Sequence, residues 1–96
     1  MSGDNSSGDG EKLSARELAH AAKAAIEDLT GYEPEAVTGM EWDEESWSIM
    51  VDVLELERIP NTTDVMATYA VKLDDRGKLL GYKRERRFVR GSAEAQ

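Results

Sequence analysis

The stretch WSIMVDVLELERIPNTTDVMATY, residues 47–69, decides the fold. Trp47, Ile49, Val51 and Val53 share one parity in its first half, and Val65, Ala67 and Tyr69 do so in its second, continuing to Val71 and Leu73. Period two is the signature of a strand with one face buried. Between the halves, Pro60 removes a backbone donor and fixes φ, while Asn61, Thr62, Thr63 and Asp64 can bond their own backbone. The pattern predicts two antiparallel strands joined by a structured loop. The first of them, expected over 47–59, changes parity: Leu54 and Leu56 are apolar where Glu55 and Glu57 are charged. Either a bulge lies near Val53 to Glu55, or Leu54 and Leu56 form an exposed apolar strip on the face away from the core, beside the Pro60 loop.

Working toward the N-terminus, Asp43-Glu44-Glu45-Ser46 is a turn, and Ala36 to Trp42 reads as a short strand weakened by Gly39. Trp42 and Trp47 flank that turn, and a cross-strand aromatic contact is preferred to a ligand platform. The carboxylates of Glu41, Asp43, Glu44 and Glu45 lack the order of a calcium loop and read as a solvated turn. Tyr32-Glu33-Pro34-Glu35 reads as a linker, because Pro34 disfavours helical geometry at Glu33. Before it, Ser14-Ala15-Arg16-Glu17 is a capping box, with Leu13 and Leu18 as a hydrophobic staple. Leu18, Ala22, Ala25 and Leu29, flanked by Ala21 and Ile26, make an apolar stripe that Gly31 ends. His20 falls on the solvent side of that helix. Residues 1–12, Gly/Ser-rich and acidic, read as a disordered tail.

Toward the C-terminus, Asp74-Asp75-Arg76-Gly77 is a polar turn. The strand after it, from Lys78 to about Val89, has no cleanly apolar face, which suits a sheet edge. Residues 91–96 read as a frayed end. The expected architecture is α+β: an N-terminal helix packed on a four-stranded antiparallel sheet, in one domain over 13–90.

The charge is unevenly spread. Residues 1–77 hold six Lys/Arg against eighteen Asp/Glu, whereas residues 78–96 hold six against two, so a −12 body carries a +4 end. Two readings follow: the arginines pair with carboxylates across the sheet, or they form a docking edge for an acidic protein partner. The acidic body and the lack of an aromatic platform argue against nucleic acid. With no cysteine and one histidine, neither a disulfide framework nor a thiolate or multi-histidine metal site can form. No nucleophile, base and orienter occur at a catalytic spacing, so neither an enzyme nor a cofactor is expected. No apolar run approaches the ~20 residues that span a bilayer, and Met1 to Lys12 is unlike a signal peptide; a cytoplasmic location is expected.

The capped alanine-rich helix, the Arg58-Ile59-Pro60-Asn61-Thr62-Thr63-Asp64-Val65 loop, Ala67-Thr68-Tyr69, and the terminal Tyr82, Arg84, Arg87, Phe88, Arg90 pattern together resemble the gas vesicle protein O family over about 13–90. Phe88 stands where tyrosine is more frequent, and Ala70 where glutamate is common. The resemblance implies an accessory protein in gas vesicle assembly, associated with the vesicle and acting through contacts with the shell protein and other accessory factors. It implies no reaction, cofactor or metal. A narrower similarity, in the Trp-x-Ile-x-Val strand and Tyr-x-Val-x-Leu-Asp-x-x-Gly turn, is to the PepSY module, which implies a regulatory or peptidase-inhibitory binder; the missing secretion signal weighs against that function. No binding residue carries over from either family. From the residues themselves, the expected partner-binding surface comprises Arg58, Pro60 and Asp64 on the loop, Leu54 and Leu56 before it, and Arg84, Arg87 and Arg90 on the last strand.

Overall fold

A computed structural model of the protein describes residues 12–91; the expected tail up to residue 11 and end from residue 92 lie outside them. The elements are a helix α1 (Ala15–Thr30) followed by strands β1 (Glu33–Trp42), β2 (Trp47–Leu56), β3 (Val65–Leu73) and β4 (Leu79–Val89). They form an antiparallel meander in the order β1-β2-β3-β4, with α1 across one face. The α+β expectation is met.

The Ser14 hydroxyl accepts from the Glu17 N–H at 3.1 Å, and the Glu17 carboxylate accepts from the Ser14 N–H at 2.8 Å, so both halves of the capping box form. Gly31 ends the helix with φ +79°, and its N–H donates to the Glu27 carbonyl at 2.9 Å. The buried side chains of α1 are Leu18, Ala22 and Ile26. The expected stripe through Ala25 and Leu29 is therefore rotated, and Leu29 is 46% exposed. The contact follows a ridge of residues four apart, which is inclined to the helix axis. Ile26 fills the core position that Leu29 would have taken.

Ile49, Val51 and Val53 of β2 and Ala67, Tyr69, Val71 and Leu73 of β3 complete that core. The three aliphatic residues of β2, with Val71 and Leu73, are wholly buried, so each stabilises the fold by about 1.5–3 kcal/mol. At one end of the sheet Trp42 and Trp47 pair in register with centroids 5.5 Å apart, the aromatic contact the sequence predicts.

Two boundaries differ from expectation. Tyr32 to Glu35 is not a linker, since β1 begins at Glu33. Proline fits an extended edge strand, where a missing donor need not break a ladder. β2 stops at Leu56 and not near Ile59, because the Arg58 N–H donates to the Asp64 carboxylate at 2.7 Å. A side chain has replaced the ladder partner there.

The register breaks at several points, three of them with a glutamate unpaired. Glu35 is skipped between Pro34 and Ala36, Glu55 between Leu54 and Leu56, and Glu85 between the partners Arg84 and Arg86. A bulge turns the following side chain to the other face. At β4 this splits the expected parity, so that Tyr82 and Arg84 pair with helix-side residues while Arg86 and Phe88 pair with Thr68 and Met66 on the opposite face.

Candidate functional site

The residues singled out in the sequence converge on one end of the sheet, where β2 leaves, β3 enters and β4 finishes. The chain between Leu56 and Val65 closes through a 3-10 turn over Asn61–Thr63. The Pro60 carbonyl accepts from the Thr63 N–H at 3.0 Å and from its hydroxyl at 2.8 Å, and the Asn61 carbonyl accepts from the Asp64 N–H at 3.0 Å. The Ile59–Pro60 peptide bond is cis. The loop is thus held by its own polar groups, as its Pro-Asn-Thr-Thr-Asp composition leads one to expect.

Asp64 is the inward anchor, with a side chain only 4% exposed. One carboxylate oxygen accepts from the Arg58 N–H; the other accepts from Arg90 Nε at 3.0 Å. Arg90 returns a backbone bond, its N–H donating to the Asp64 carbonyl at 2.8 Å. The rest of the Arg90 guanidinium grips Glu35 in a fork, Nη1 to Oε1 at 3.1 Å and Nη2 to Oε2 at 2.7 Å. Glu35 belongs to β1 and Arg90 follows β4, the two edge strands. The guanidinium therefore clamps both edges of the sheet across its open end, and Glu35 followed by Asp64 pushes its proton affinity well above that of an ordinary arginine. Beside the clamp, Gly91 lies against the loop at φ +78°, where an added Cβ would stand 3.1 Å from the Thr62 carbonyl.

A second cluster forms at the β2 bulge. The Glu55 side chain is also 4% exposed, roofed by Arg84 Nη1 at 3.0 Å and Arg87 Nε at 3.0 Å. Tyr69 lies below, its hydroxyl proton held more tightly than usual, chiefly by burial and then by the negative charge of Glu55. Both arginines keep outward faces, with side chains 43% and 56% exposed. Among the described residues Arg84 uses Nη1 and Arg87 uses Nε, so further donors of each guanidinium remain for another acceptor.

Of the two readings of β2, the bulge is realised. Leu54 pairs with Met66 and Leu56 with Val65, so the two leucines stand on opposite faces and do not form one strip. Leu56 instead joins a cross-strand row with Val65 and Val89 on the helix side. Leu56 is 47% exposed, Val89 42% and Ile59, at the loop tip, 98%. An apolar margin therefore adjoins the arginine-roofed end, with Arg58 and Pro60 exposed beside it.

Glu35 and Glu55 are the residues the sequence reading missed. The signal for Glu55 was the broken alternation at Val53 to Glu57, since a carboxylate at a parity switch needs a partner. Glu35 gave none, because its partner is 55 residues away.

The arrangement defines a small α+β domain whose carboxylates and arginines are engaged in joining strands and whose far end offers mixed apolar and cationic surface. Residues 2–94 match the family model described as "Gas vesicle synthesis protein GvpO". The chain belongs to that family. It is 45% identical to gas vesicle protein O of Streptomyces sp. (strain CB03234) over 76% of this chain and 57% of that protein. It is 31% identical to gas vesicle protein O1 of Halobacterium salinarum over 78% of this chain and 63% of that one. Identity to gas vesicle protein O of Haloferax mediterranei is 29%, over 78% and 54% respectively. The chain thus spans between half and two thirds of the length of these relatives. No solved structure matches it. No described helix is long and apolar enough to cross a membrane.

Proposed function

We propose that the chain is a non-enzymatic accessory protein of gas vesicle assembly, acting in the cytoplasm or on the vesicle through contacts with the shell protein and other accessory factors. Family membership supports the pathway. The single observation that supports a docking role is the apolar margin of Leu56, Ile59 and Val89 next to guanidinium groups that still have donors to offer. Apolar area gives affinity while flanking charge sets partner and register. Such a surface suits a segment of the partner that carries both carboxylates and aliphatic side chains.

Within this surface the roles divide. Arg58, Pro60, Leu56, Arg84 and Arg87 form the contact face; Asp64 and Arg90 hold the loop against the sheet from inside; Leu54, on the opposite face, supports the end from behind. The test is complementation in a vesicle-forming strain from which the gene has been removed. The wild-type gene restores vesicle number and shape, and Ile59→Asp does not, although the variant protein is folded and present at normal level. A deletion without effect on vesicles would overturn the assembly role; full rescue by Ile59→Asp would overturn the docking surface.

A further inference from the structure

No helix or strand among the described residues covers the face of the sheet opposite α1, where neighbouring side chains bury Met66 and Thr68 and leave the other apolar residues half-buried. Alternation along β2 and β3, with the register of their neighbours, puts Met50, Leu54, Met66, Ala70 and Phe88 on it as a contiguous apolar centre. Within that centre the Thr68 hydroxyl donates to Asp52 Oδ1 at 2.6 Å, which leaves the charge and second oxygen of that half-buried carboxylate to be met by a cation. Covering the face therefore requires a partner that brings charges opposite in sign to those it carries.

Its charges are sorted by side. The β1–β2 half carries Glu33, Glu41 and Asp52, while the β3–β4 half carries Lys72, Lys83 and Arg86, with Glu85 the one carboxylate there, 3.7 Å from Lys83. Arg86 lies 4.7 Å over the Phe88 ring, which keeps its charge at the edge of the apolar centre. An open groove of about 400 Å3 runs between Lys72 and Lys83, with room for a partner's side chains.

We infer that this face binds a second copy of the chain, sheet on sheet, about a two-fold axis parallel to the strands. Rotation about that axis lays β1 of one copy over β4 of the other, so each acidic half meets a basic half twice. A two-fold running across the strands would stack β1 on β1 and oppose carboxylates, which costs several kcal/mol per misplaced like-charge contact. The product is a four-layer helix-sheet-sheet-helix sandwich with the sheets about 10 Å apart. Because the axis follows the strands, both Pro60 loops emerge at the same end of the dimer, on its two outer sides. A dimer of this kind would present two docking ends together, a source of avidity without new contacts. The inference stands apart from the docking surface, which lies at the end of the helix-side face.

The test is mass in solution. Sedimentation equilibrium of the wild-type chain gives twice the 10.6 kDa of one chain, and its dissociation constant rises with added salt because the charge pairs at the rim are screened. Lys72→Glu with Lys83→Glu leaves Arg86 as the one cation of the face, and Glu33→Lys with Glu41→Lys leaves Asp52 and Glu85 as its two carboxylates, so the first variant is strongly acidic and the second strongly basic there. Each double variant runs at monomer mass with an unchanged circular dichroism spectrum, and an equimolar mixture of the two returns to dimer mass. A monomeric wild type at all micromolar concentrations would overturn the inference, leaving the face to some other partner. So would a dimer indifferent to salt and to both charge changes, or a mixture that stays monomeric.

Discussion

Asp64 and Arg90 are joined twice, side chain to side chain at 3.0 Å and backbone to backbone at 2.8 Å, across 26 residues of sequence. The same guanidinium reaches on to Glu35, so one residue after β4 links the loop between β2 and β3 to the first strand. The end of the sheet that carries the proposed docking surface is cross-braced by that one side chain.

Replacing Asp64 with alanine strands the Arg58 N–H and Arg90 Nε, while both Nη groups of Arg90 keep Glu35. The expected loss is about 1–3 kcal/mol in urea unfolding, the cost of leaving two donors without the nearly buried Asp64 carboxylate. Arg90→Ala also destabilises, by leaving the nearly buried Asp64 carboxylate without its cation, and the double variant costs less than the sum, because the two residues act as one unit.

At the second cluster, Arg84→Ala or Arg87→Ala singly lowers stability by about 0.5–1 kcal/mol, as expected for half-exposed ion pairs. Removing both leaves the shielded Glu55 carboxylate without a cation, and the loss rises to about 2–3 kcal/mol. Reverting the cost with Glu55→Gln in the double background would show that the stranded charge is the cause.

Ser14→Ala removes one half of the capping box and lowers stability by about 1 kcal/mol, read as a lower midpoint in thermal unfolding. The same change leaves partner binding intact, because the helix start lies at the opposite end of the sheet from the Pro60 loop.

Two turn aspartates contribute to the pH dependence of stability in acid. Asp43 is held below the usual carboxylate range chiefly by the Ser46 N–H, and Asp74 chiefly by the Lys78 N–H. A depressed folded-state value means that the unfolded chain binds the proton first. The stabilisation is complete above the unfolded value near 4 and is lost as pH falls through the lower folded values. Asp43→Asn with Asp74→Asn therefore flattens the stability profile below pH ~4 and leaves its slope near neutrality unchanged, as urea titration across pH would show.

The helix start, its glycine stop, the two central strands and the tryptophan pair were legible because each rests on residues within a few positions of one another. Ser14 and Glu17 need only the turn between them, and Val51 and Tyr69 need only alternation. The site was half legible. Arg84, Arg87 and Arg90 stood out by charge, but their acceptors Glu55, Asp64 and Glu35 are 26 to 55 residues away, a separation that only the meander closes. The bulges show why parity failed in β4: each skipped residue flips the next side chain, and no local preference marks Glu85 as the one skipped. The helix buries Leu18, Ala22 and Ile26 and leaves Leu29 out, a choice set by the sheet beneath it that a helical projection does not contain.

The most direct measurement is affinity capture of the tagged protein from vesicle-forming cells, with wild type and an Ile59→Asp, Leu56→Asp variant compared by quantitative mass spectrometry. The account predicts that wild type brings down gas vesicle proteins and that the variant, folded by circular dichroism, loses them at least tenfold, about 1.4 kcal/mol. Equal recovery of those proteins by both, or none by the wild type, would contradict it.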